Sequence, residues 1–307
     1  MRPITGREEL DLFSRLPYTL NGELANDLAA GRRRPEWMWI ALRGDRLLAR
    51  VAWWGRAADD APLILDVLDI EDGAPDSGQV DTGVRLLRTA MAAVLPDGAH
   101  PPEYSRFAPP DWRENAMTAR VVQDRMAVLE GVGARPFVER LRLEWRPEAP
   151  VPEPGGRLAF RPVHDGRELV ALMASVLDGT LDAHSRAELT RLSAHEAAVE
   201  QYEDELARYP SPRDWWRIAA LPGGEPVGFV IPARNAYNPI IAYIGVLPEH
   251  RGNGYVDDLL AEGTRVLAAE GVPRIRASTD LGNIPMAEAF RRAGYLNFER
   301  EIKMNWS

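Results

Sequence analysis

Short apolar runs and helical stripes of hydrophobic residues alternate along the chain, and together they predict a mixed α/β protein. In the first half, helical spacing predicts helices over residues 7–16, 20–31, 84–95 and 115–131, and apolar runs predict strands over 37–42, 47–54, 63–70 and within 133–145. In the second half, the pattern predicts strands over 158–162, 215–220, 227–233, 240–244 and 275–278, and helices over 166–177, 256–267 and 286–293. Two pairs of strands, 37–42 with 47–54 and 215–220 with 227–233, are separated by short turns and predict hairpins.

The stretch from Ile240 to Leu267 combines a strand, a glycine turn and a helix. The turn is Arg251-Gly252-Asn253-Gly254, and glycine lets the backbone come close to a ligand. The first N–H groups of a helix have no partner within it, and the helix dipole adds positive potential there. With Arg251, this arrangement suits a phosphate or pyrophosphate, although an ordinary turn between strand and helix has the same appearance.

A second motif follows about thirty residues later, after the strand at 275–278. It consists of Asn283, Pro285-Met286, Phe290 and Gly294-Tyr295. With the earlier Arg251 to Val256 segment, this order resembles the GNAT superfamily of acetyltransferases. The resemblance implies tandem GNAT-like α/β domains, each with a central mixed β-sheet flanked by helices, and acetyl-CoA as co-substrate.

The resemblance also implies a set of cofactor-binding residues in the second half. Val246 and Leu247 would pair with the pantetheine arm, and the loop would bind the pyrophosphate. The full set is Val246, Leu247, Arg251, Gly252, Asn253, Gly254, Tyr255, Val256, Asn283, Met286 and Phe290. Asn283 has an alternative role as the N-cap of the following helix. Val256 replaces the small residue of the family, and it either packs harmlessly in the helix or crowds the cofactor.

The catalytic acid and base are not marked by the usual residues. The family often has a tyrosine where this chain has Phe290, and a glutamate in the strand that is here Ile240–Ile244. Tyr243 is the one titratable side chain in that strand, and Glu249 lies just beyond it, so both are candidate catalytic residues. Carboxylates in the polar segment that caps the acceptor in this family are candidates for binding the amine. They are Asp178, Asp182, Glu188, Glu203, Asp204 and Glu205.

The two halves resemble each other. Residues 129–145 align without a gap with 290–306, which places Gly133 on Gly294 and Trp145 on Trp306. We therefore predict a duplication, with a degenerate GNAT-like domain over 1–147, a proline-rich linker over 148–156 and an acetyl-CoA-binding domain over 157–307. The first half is predicted to be degenerate because its loop at 71–78 carries three carboxylates and no arginine, and carboxylates repel a pyrophosphate.

The composition argues against several kinds of functional site and partner. The 307 residues include no cysteine, which excludes thiolate nucleophiles, disulfides and cysteine metal sites, and the histidines show no metal-ligand spacing, so we predict no metal. The net charge of −9 argues against nucleic acid, and no apolar run is long enough for a membrane span. We predict a cytoplasmic N-acetyltransferase, monomer or homodimer, that acts directly on the primary amine of a small molecule. A longer acyl donor, and a non-catalytic acyl-CoA-binding or protein-interaction module of the same fold, remain alternatives.

Overall fold

The computed structural model describes residues 1–73, 78–153 and 155–306. The chain divides into two compact units, which are called unit 1 and unit 2 below. Unit 1 contains Met1–Glu139 and the C-terminal segment from Arg300, and unit 2 contains Arg140–Glu299. Among the described residues, no helix is long and apolar enough to cross a membrane.

The first half of the chain supplies six strands and four helices. The strands are β1 (Arg2–Pro3), β2 (Met38–Arg43), β3 (Arg46–Trp54), β4 (Ile64–Ile70), β5 (Tyr104–Ala108) and β6 (Arg135–Trp145). The helices are α1 (Leu10–Phe13), α2 (Leu24–Ala29), α3 (Gln79–Val94) and α4 (Ala116–Glu130).

The second half supplies six strands and five helices. The strands are β7 (Ala159–Pro162), β8 (Arg217–Ala220), β9 (Pro226–Arg234), β10 (Pro239–Val246), β11 (Ile275–Asp280) and β12 (Leu296–Asn305). The helices are α5 (Gly166–Val176), α6 (Ala183–Glu188), α7 (Ala194–Asp204), α8 (Tyr255–Ala269) and α9 (Ile284–Arg292).

Unit 1 is built on a mixed sheet in which β1, β2, β3, β4 and β5 follow one another, and residues 300–304 of β12 complete the edge beside β5. All neighbours are antiparallel except β4 and β5, which are parallel. Helix α3 packs on the sheet around buried Trp53, Leu68 and Leu86. The two helices predicted over 7–16 and 20–31 are shorter than expected, with 3-10 turns beside α1 and α2. Gly22 lies inside the second segment, where glycine weakens a helix.

Unit 2 is built on a second mixed sheet with the order β7, β8, β9, β10, β11 and then residues 140–145 of β6. Helices α8 and α9 pack on one face around Leu259, Leu260 and Phe290, and α5 and α7 pack around Leu169 and Trp216. The predicted hairpin of β8 and β9 and the mixed α/β class are confirmed.

The last strand of each sheet comes from a distant part of the chain. Residues 140–145 pair with β11 from Ile275↔Trp145 to Asp280↔Arg140, and residues 300–304 pair with β5. The chain therefore passes from unit 1 to unit 2 within β6 and returns within β12. The domain limits at 147, 148–156 and 157 remain predictions.

Candidate functional site

Two parallel strands diverge in the middle of unit 2. Strands β10 and β11 are neighbours at Ile240 and Arg276, and among the described residues no further pair is recorded between them. A bulge at Ala242 bends β10, since Ile241 and Tyr243 face the consecutive residues Pro232 and Ile231 of β9. The divergence leaves the β11-facing edge of β10, up to Val246, available to pair with an extended ligand.

The glycine loop after β10 presents a row of unused backbone donors. Gly252 and Gly254 have φ values of 79° and 71°, a region that favours glycine, and the turn leads directly into α8. The amides of the five residues Gly252–Val256 donate to no acceptor among the described residues. These donors lie at the positive end of a 15-residue helix, so the loop can bind a phosphate group.

Helix α8 differs from its neighbours at this end. Side chains cap the other four helices of unit 2, as Asp165, Asp182, Ser193 and Asn283 accept a backbone N–H of α5, α6, α7 and α9. Among the described residues, no side chain caps α8. Each of the other four helices has one amide satisfied by its capping side chain, whereas the start of α8 has none satisfied in this way.

The side chain of Arg251 braces the loop. Its guanidinium donates to three carbonyl oxygens, those of Val246 at 3.2 Å, Asp178 at 2.6 Å and Val176 at 2.8 Å. Val176 is the last residue of α5, where carbonyl groups have no partner inside the helix, and Asp178 follows just after the helix ends. The Arg251 side chain thus fixes the loop against the end of α5.

Two aspartates in the first turn of α8 have cationic partners. Asp258 is buried, contacts the Arg157 guanidinium and accepts the Gly155 N–H at 2.5 Å. Asp257 pairs with Arg292 at 2.8 Å. Arg157 also donates to the carbonyl of Asn253 at 2.9 Å. The negative charges that would oppose a phosphate at this helix end are therefore balanced by arginines.

The motif residues after β11 cap α9 or pack in the core of unit 2. Asn283 caps α9 by accepting the Met286 N–H at 3.3 Å, which is its alternative role. Phe290 is buried against the ring of Tyr295 at 5.1 Å, and Met286 packs on the same core. Val256 packs there too, which favours the harmless alternative for its branched side chain. The Tyr295 hydroxyl bonds to Thr264 at 2.8 Å, and burial raises the pKa of Tyr295, so this phenol does not replace the hydroxyl missing at position 290.

The two candidate catalytic residues have different surroundings. Tyr243 packs edge-on against Phe229 at 5.1 Å, and its hydroxyl has no hydrogen-bond partner among the described residues. Burial, followed by the charges of Asp182 and Glu188, raises the pKa of Tyr243, so it keeps its proton at neutral pH. Glu249 is exposed in the 3-10 turn before the loop. Tyr243 is therefore a protonated phenol packed beside Phe229, and Glu249 is in contact with solvent.

A charged group lies where α6 begins, at the end of β11. Asp280 is 3% exposed, accepts the Ala183 N–H at 2.6 Å and lies 3.4 Å from Arg140. Arg140 also pairs with Asp182 at 3.3 Å. Asp182 was a candidate from the sequence, whereas Asp280 and Arg140 were not. The polar end of the strand predicted at 275–278 was the available signal for Asp280; the sequence contained none for Arg140, which comes from the other half of the chain.

The corresponding strands of unit 1 also diverge, but arginine side chains fill the gap. Strands β4 and β5 pair at Leu65 and Tyr104, and beyond that point Arg106 donates to the carbonyl of Leu68 at 3.1 Å and Arg125 to that of Ile70 at 2.8 Å. Both surround buried Asp69, which also pairs with Arg50 at 2.7 Å. In the loop at 71–78, Glu71, Asp72 and Gly73 are described, and residues 74–77 lie outside the described residues. Asp72 pairs with Arg125 at 2.5 Å. The backbone edge that is open in unit 2 is occupied by side chains in unit 1.

Comparisons with known proteins find similarity in both sequence and fold. A sequence profile described as "Acetyltransferase (GNAT) family" matches residues 179–295. A mycothiol acetyltransferase of Streptomyces bingchenggensis is 33% identical over 82 residues, which span 26% of this chain and 27% of that protein. The match therefore covers about a quarter of that relative.

Solved structures share the fold over most of the chain. A GCN5-related N-acetyltransferase from Sphaerobacter thermophilus has a TM-score of 0.55 at 17% identity, covering 92% of this chain and 84% of that one. A tandem GNAT protein of the clavulanic acid biosynthesis pathway has a TM-score of 0.54 at 14% identity, covering 99% and 96%.

Proposed function

We propose that unit 2 transfers an acetyl group from acetyl-CoA to a primary amine of a small molecule. The proposal starts from residues 179–295, which belong to the acetyltransferase (GNAT) family. The tandem GNAT fold, which was inferred from the sequence, is confirmed by the solved relatives. The observation that carries the proposal is the row of amides at Gly252–Val256 without an acceptor, at the uncapped start of α8.

The residues of unit 2 fit this co-substrate. The five loop amides are proposed to bind its pyrophosphate, and the open edge of β10 near Val246 to pair with the pantetheine amides. When bound, acetyl-CoA supplies the thioester carbonyl to which the amine adds. The Val246 N–H is proposed to stabilise the oxyanion that develops on that carbonyl.

Side chains of this protein are then proposed to take part in the proton transfers. The absence of cysteine removes the usual nucleophile of a covalent intermediate, so we propose direct transfer in a ternary complex. Tyr243 is proposed as the proton donor, because it remains protonated and its hydroxyl has no partner among the described residues. The relative from Streptomyces bingchenggensis is a mycothiol acetyltransferase by name, which supports acetyl transfer by this chain.

The cellular location and the partners of the protein are proposed in part from its composition. A chain without cysteine and with a net charge of −9 fits a cytoplasmic enzyme that has no nucleic-acid partner. Unit 1 is proposed as a degenerate partner, since arginines occupy its divergent strands. We propose a monomer or homodimer that needs no metal.

Calorimetric titration of the full chain with acetyl-CoA tests the proposal. We expect micromolar binding that weakens at least about tenfold in Arg251→Glu, because the variant detaches the loop from α5 and adds a negative charge beside the phosphate site. Arg291→Glu is the matched control, since Arg291 is exposed on α9 and pairs with Glu288 at 2.8 Å. Absence of binding at millimolar acetyl-CoA would overturn the proposal, and a preference for longer acyl-CoA esters would change the donor.

A non-catalytic acyl-CoA-binding module is the second candidate. It is favoured by Phe290, which has no hydroxyl, and by the absence of a carboxylate in β10. Thiol release measured over a panel of amines separates the two functions. Tight acetyl-CoA binding without thiol release for any amine favours the binding module.

A further inference from the structure

The turn that follows α5 lies against the glycine loop. Helix α5 ends at Val176, and residues 177–182 connect it to α6. The carbonyl oxygens of Val176 and Asp178 accept hydrogen bonds from the two terminal nitrogens of the Arg251 guanidinium, at 2.8 and 2.6 Å. The third nitrogen donates to the carbonyl of Val246 at 3.2 Å. One side chain of the loop therefore connects the end of α5, the turn after it and the end of β10.

Gly179 leaves room for the guanidinium in this turn. Its φ of 61° lies in the left-handed region, which favours glycine. A Cβ atom at this position would lie 3.2 Å from Nη1 of Arg251, which is the nitrogen that donates to Asp178. That distance is shorter than an ordinary van der Waals contact, so a side chain at position 179 would push the guanidinium away. A displaced guanidinium makes longer and weaker hydrogen bonds to the turn.

A second contact holds the same end of α5 on β10. The side chain of Val176 is 7% exposed, and a Cβ atom at Gly245 would lie 3.0 Å from its Cγ1 atom. The absence of a side chain at Gly245 therefore lets Val176 pack directly on the backbone of β10. Val246, the last residue of this strand, follows immediately. The end of α5 thus contacts both the glycine loop and the strand end that precedes it.

These contacts restrict a segment that is otherwise free to change conformation. Two glycines in the loop, Gly252 and Gly254, give its backbone more freedom than other residues would. Several amides can bind one phosphate group only when they point to the same place. A loop that is already held in the binding conformation loses less conformational entropy when the ligand binds. The end of α5 is therefore placed to raise the affinity of the loop without contacting the ligand.

We propose that Val176 and Gly179 are positioning residues for the binding of acetyl-CoA by unit 2. Gly179 acts through Arg251, because it leaves room for the guanidinium, and Val176 acts through Gly245, on which it packs. The inference rests on the proposed function and adds the turn after α5 to the structure that holds the phosphate site. Neither residue belongs to the two motifs that indicate the site in the sequence.

Gly179→Asn tests the first of these roles. Asparagine tolerates the left-handed region, and its side chain would meet the Arg251 guanidinium. Gly271→Asn is the matched control, because Gly271 has a φ of 66° and a Cβ atom there would have open space around it. In calorimetric titration, Gly179→Asn should weaken acetyl-CoA binding by about tenfold or more, and Gly271→Asn by less than about twofold.

Val176→Ala tests the second role. Val170→Ala is the matched control, since both valines lie on α5 in the same core and are 7% and 8% exposed. Both variants lose the same volume from the core, but Val176 is the valine that packs on Gly245. We expect Val176→Ala to weaken acetyl-CoA binding by about fivefold or more and Val170→Ala by less than about twofold. Equal affinities of the two variants would overturn the role of Val176.

Urea unfolding measures the contact between Gly179 and Arg251 without any ligand. The fall in the unfolding midpoint caused by Gly179→Asn should shrink by about half or more in an Arg251→Met background, because the displaced group is absent there. Equal falls in the two backgrounds, or equal acetyl-CoA affinity of Gly179→Asn and Gly271→Asn, overturn the role of Gly179 and leave the proposed function standing. If the wild-type chain does not bind acetyl-CoA, the proposed function fails, and the urea measurement alone decides whether Gly179 holds the loop.

Discussion

The guanidinium of Arg251 donates to the carbonyl oxygen of Val176 at 2.8 Å and thereby connects the glycine loop to the last turn of α5. A second bond, to the carbonyl of Asp178 at 2.6 Å, strengthens the same connection. The motif arginine therefore acts in this protein as a brace that holds five backbone amides in position. We therefore expect recognition of a phosphate by those amides to depend on the conformation of the loop more than on the arginine charge.

Replacement of Arg251 by methionine should loosen the loop. The variant loses three hydrogen bonds from a charged donor, and we expect a loss of about 1–3 kcal/mol in the free energy of unfolding. Urea unfolding at neutral pH measures this change. Arg291→Met should change the stability by less than about 0.5 kcal/mol, because Arg291 lies on the surface of α9. Equal stability of the two variants would show that the brace contributes nothing.

Arg157 should control acetyl-CoA binding through Asp258. In Arg157→Met the buried Asp258 loses its counter-ion at the start of α8, and the uncompensated charge repels a phosphate. We expect acetyl-CoA affinity to fall about tenfold or more, as measured by calorimetry. The double variant Arg157→Met with Asp258→Asn should recover most of the affinity, because both charges are then absent. A double variant as weak as the single one would mean that Arg157 acts by its own contacts with the loop.

Asp69 should make the stability of unit 1 sensitive to acid. Burial opposes its ionisation, but Arg106, Arg50 and Arg125 outweigh burial and keep the pKa of Asp69 below its ordinary value. A lowered pKa in the folded state stabilises the protein above the unfolded pKa of about 4, and this stabilisation is lost as the pH falls through the folded value.

The variant Asp69→Asn measures that contribution. It leaves three buried arginines without their shared carboxylate, so we expect a loss of about 3–5 kcal/mol at pH 7. The difference from the wild-type chain should begin to shrink as the pH falls below about 4, the pKa of this side chain in the unfolded state, and should be lost once the pH is below the lowered pKa of Asp69 in the folded state. Asp60→Asn is the control, since the Asp60 side chain is fully exposed. A difference that does not change with pH would contradict the expected role of the ionised carboxylate.

Tyr243→Phe tests the proposed proton donor. The raised pKa of Tyr243 keeps it protonated across the neutral range, so the tyrosine itself should cause no loss of activity up to about pH 9. We expect the variant to lower kcat by about a hundredfold with little change in the KM for acetyl-CoA. In contrast, Glu249→Gln should change kcat by less than about twofold, because this carboxylate is exposed. The reverse order of effects would favour Glu249 as the catalytic group.

Local patterns were enough to predict most of the elements and the loop. The strand before Arg251, the glycines at 252 and 254 and the helix after them follow from periodicity and backbone freedom, which act between near neighbours. The N-cap role of Asn283 could be stated as an alternative for the same reason. Helix limits near Pro17 and Gly22 were less certain, since 3-10 turns and short helices compete there.

Contacts between distant residues could not be predicted in this way. The sequence places Asp258 where it would oppose a phosphate, yet its charge is balanced by Arg157, about a hundred residues earlier. Asp280 and Arg140 come together only because residues 140–145 pair with β11. Likewise, arginines fill the divergence of β4 and β5 from separate elements, and no local pattern indicates it.

The sequence by itself determined the α/β class, the GNAT resemblance and the loop with its open amides, because each depends on residues a few positions apart. The tertiary structure alone decided which charges are paired and which are not. Coulomb interactions and hydrogen bonds depend on distance in space, and a position along the chain does not fix that distance. The brace of Arg251 and the arginines between β4 and β5 are consequences of the folded arrangement.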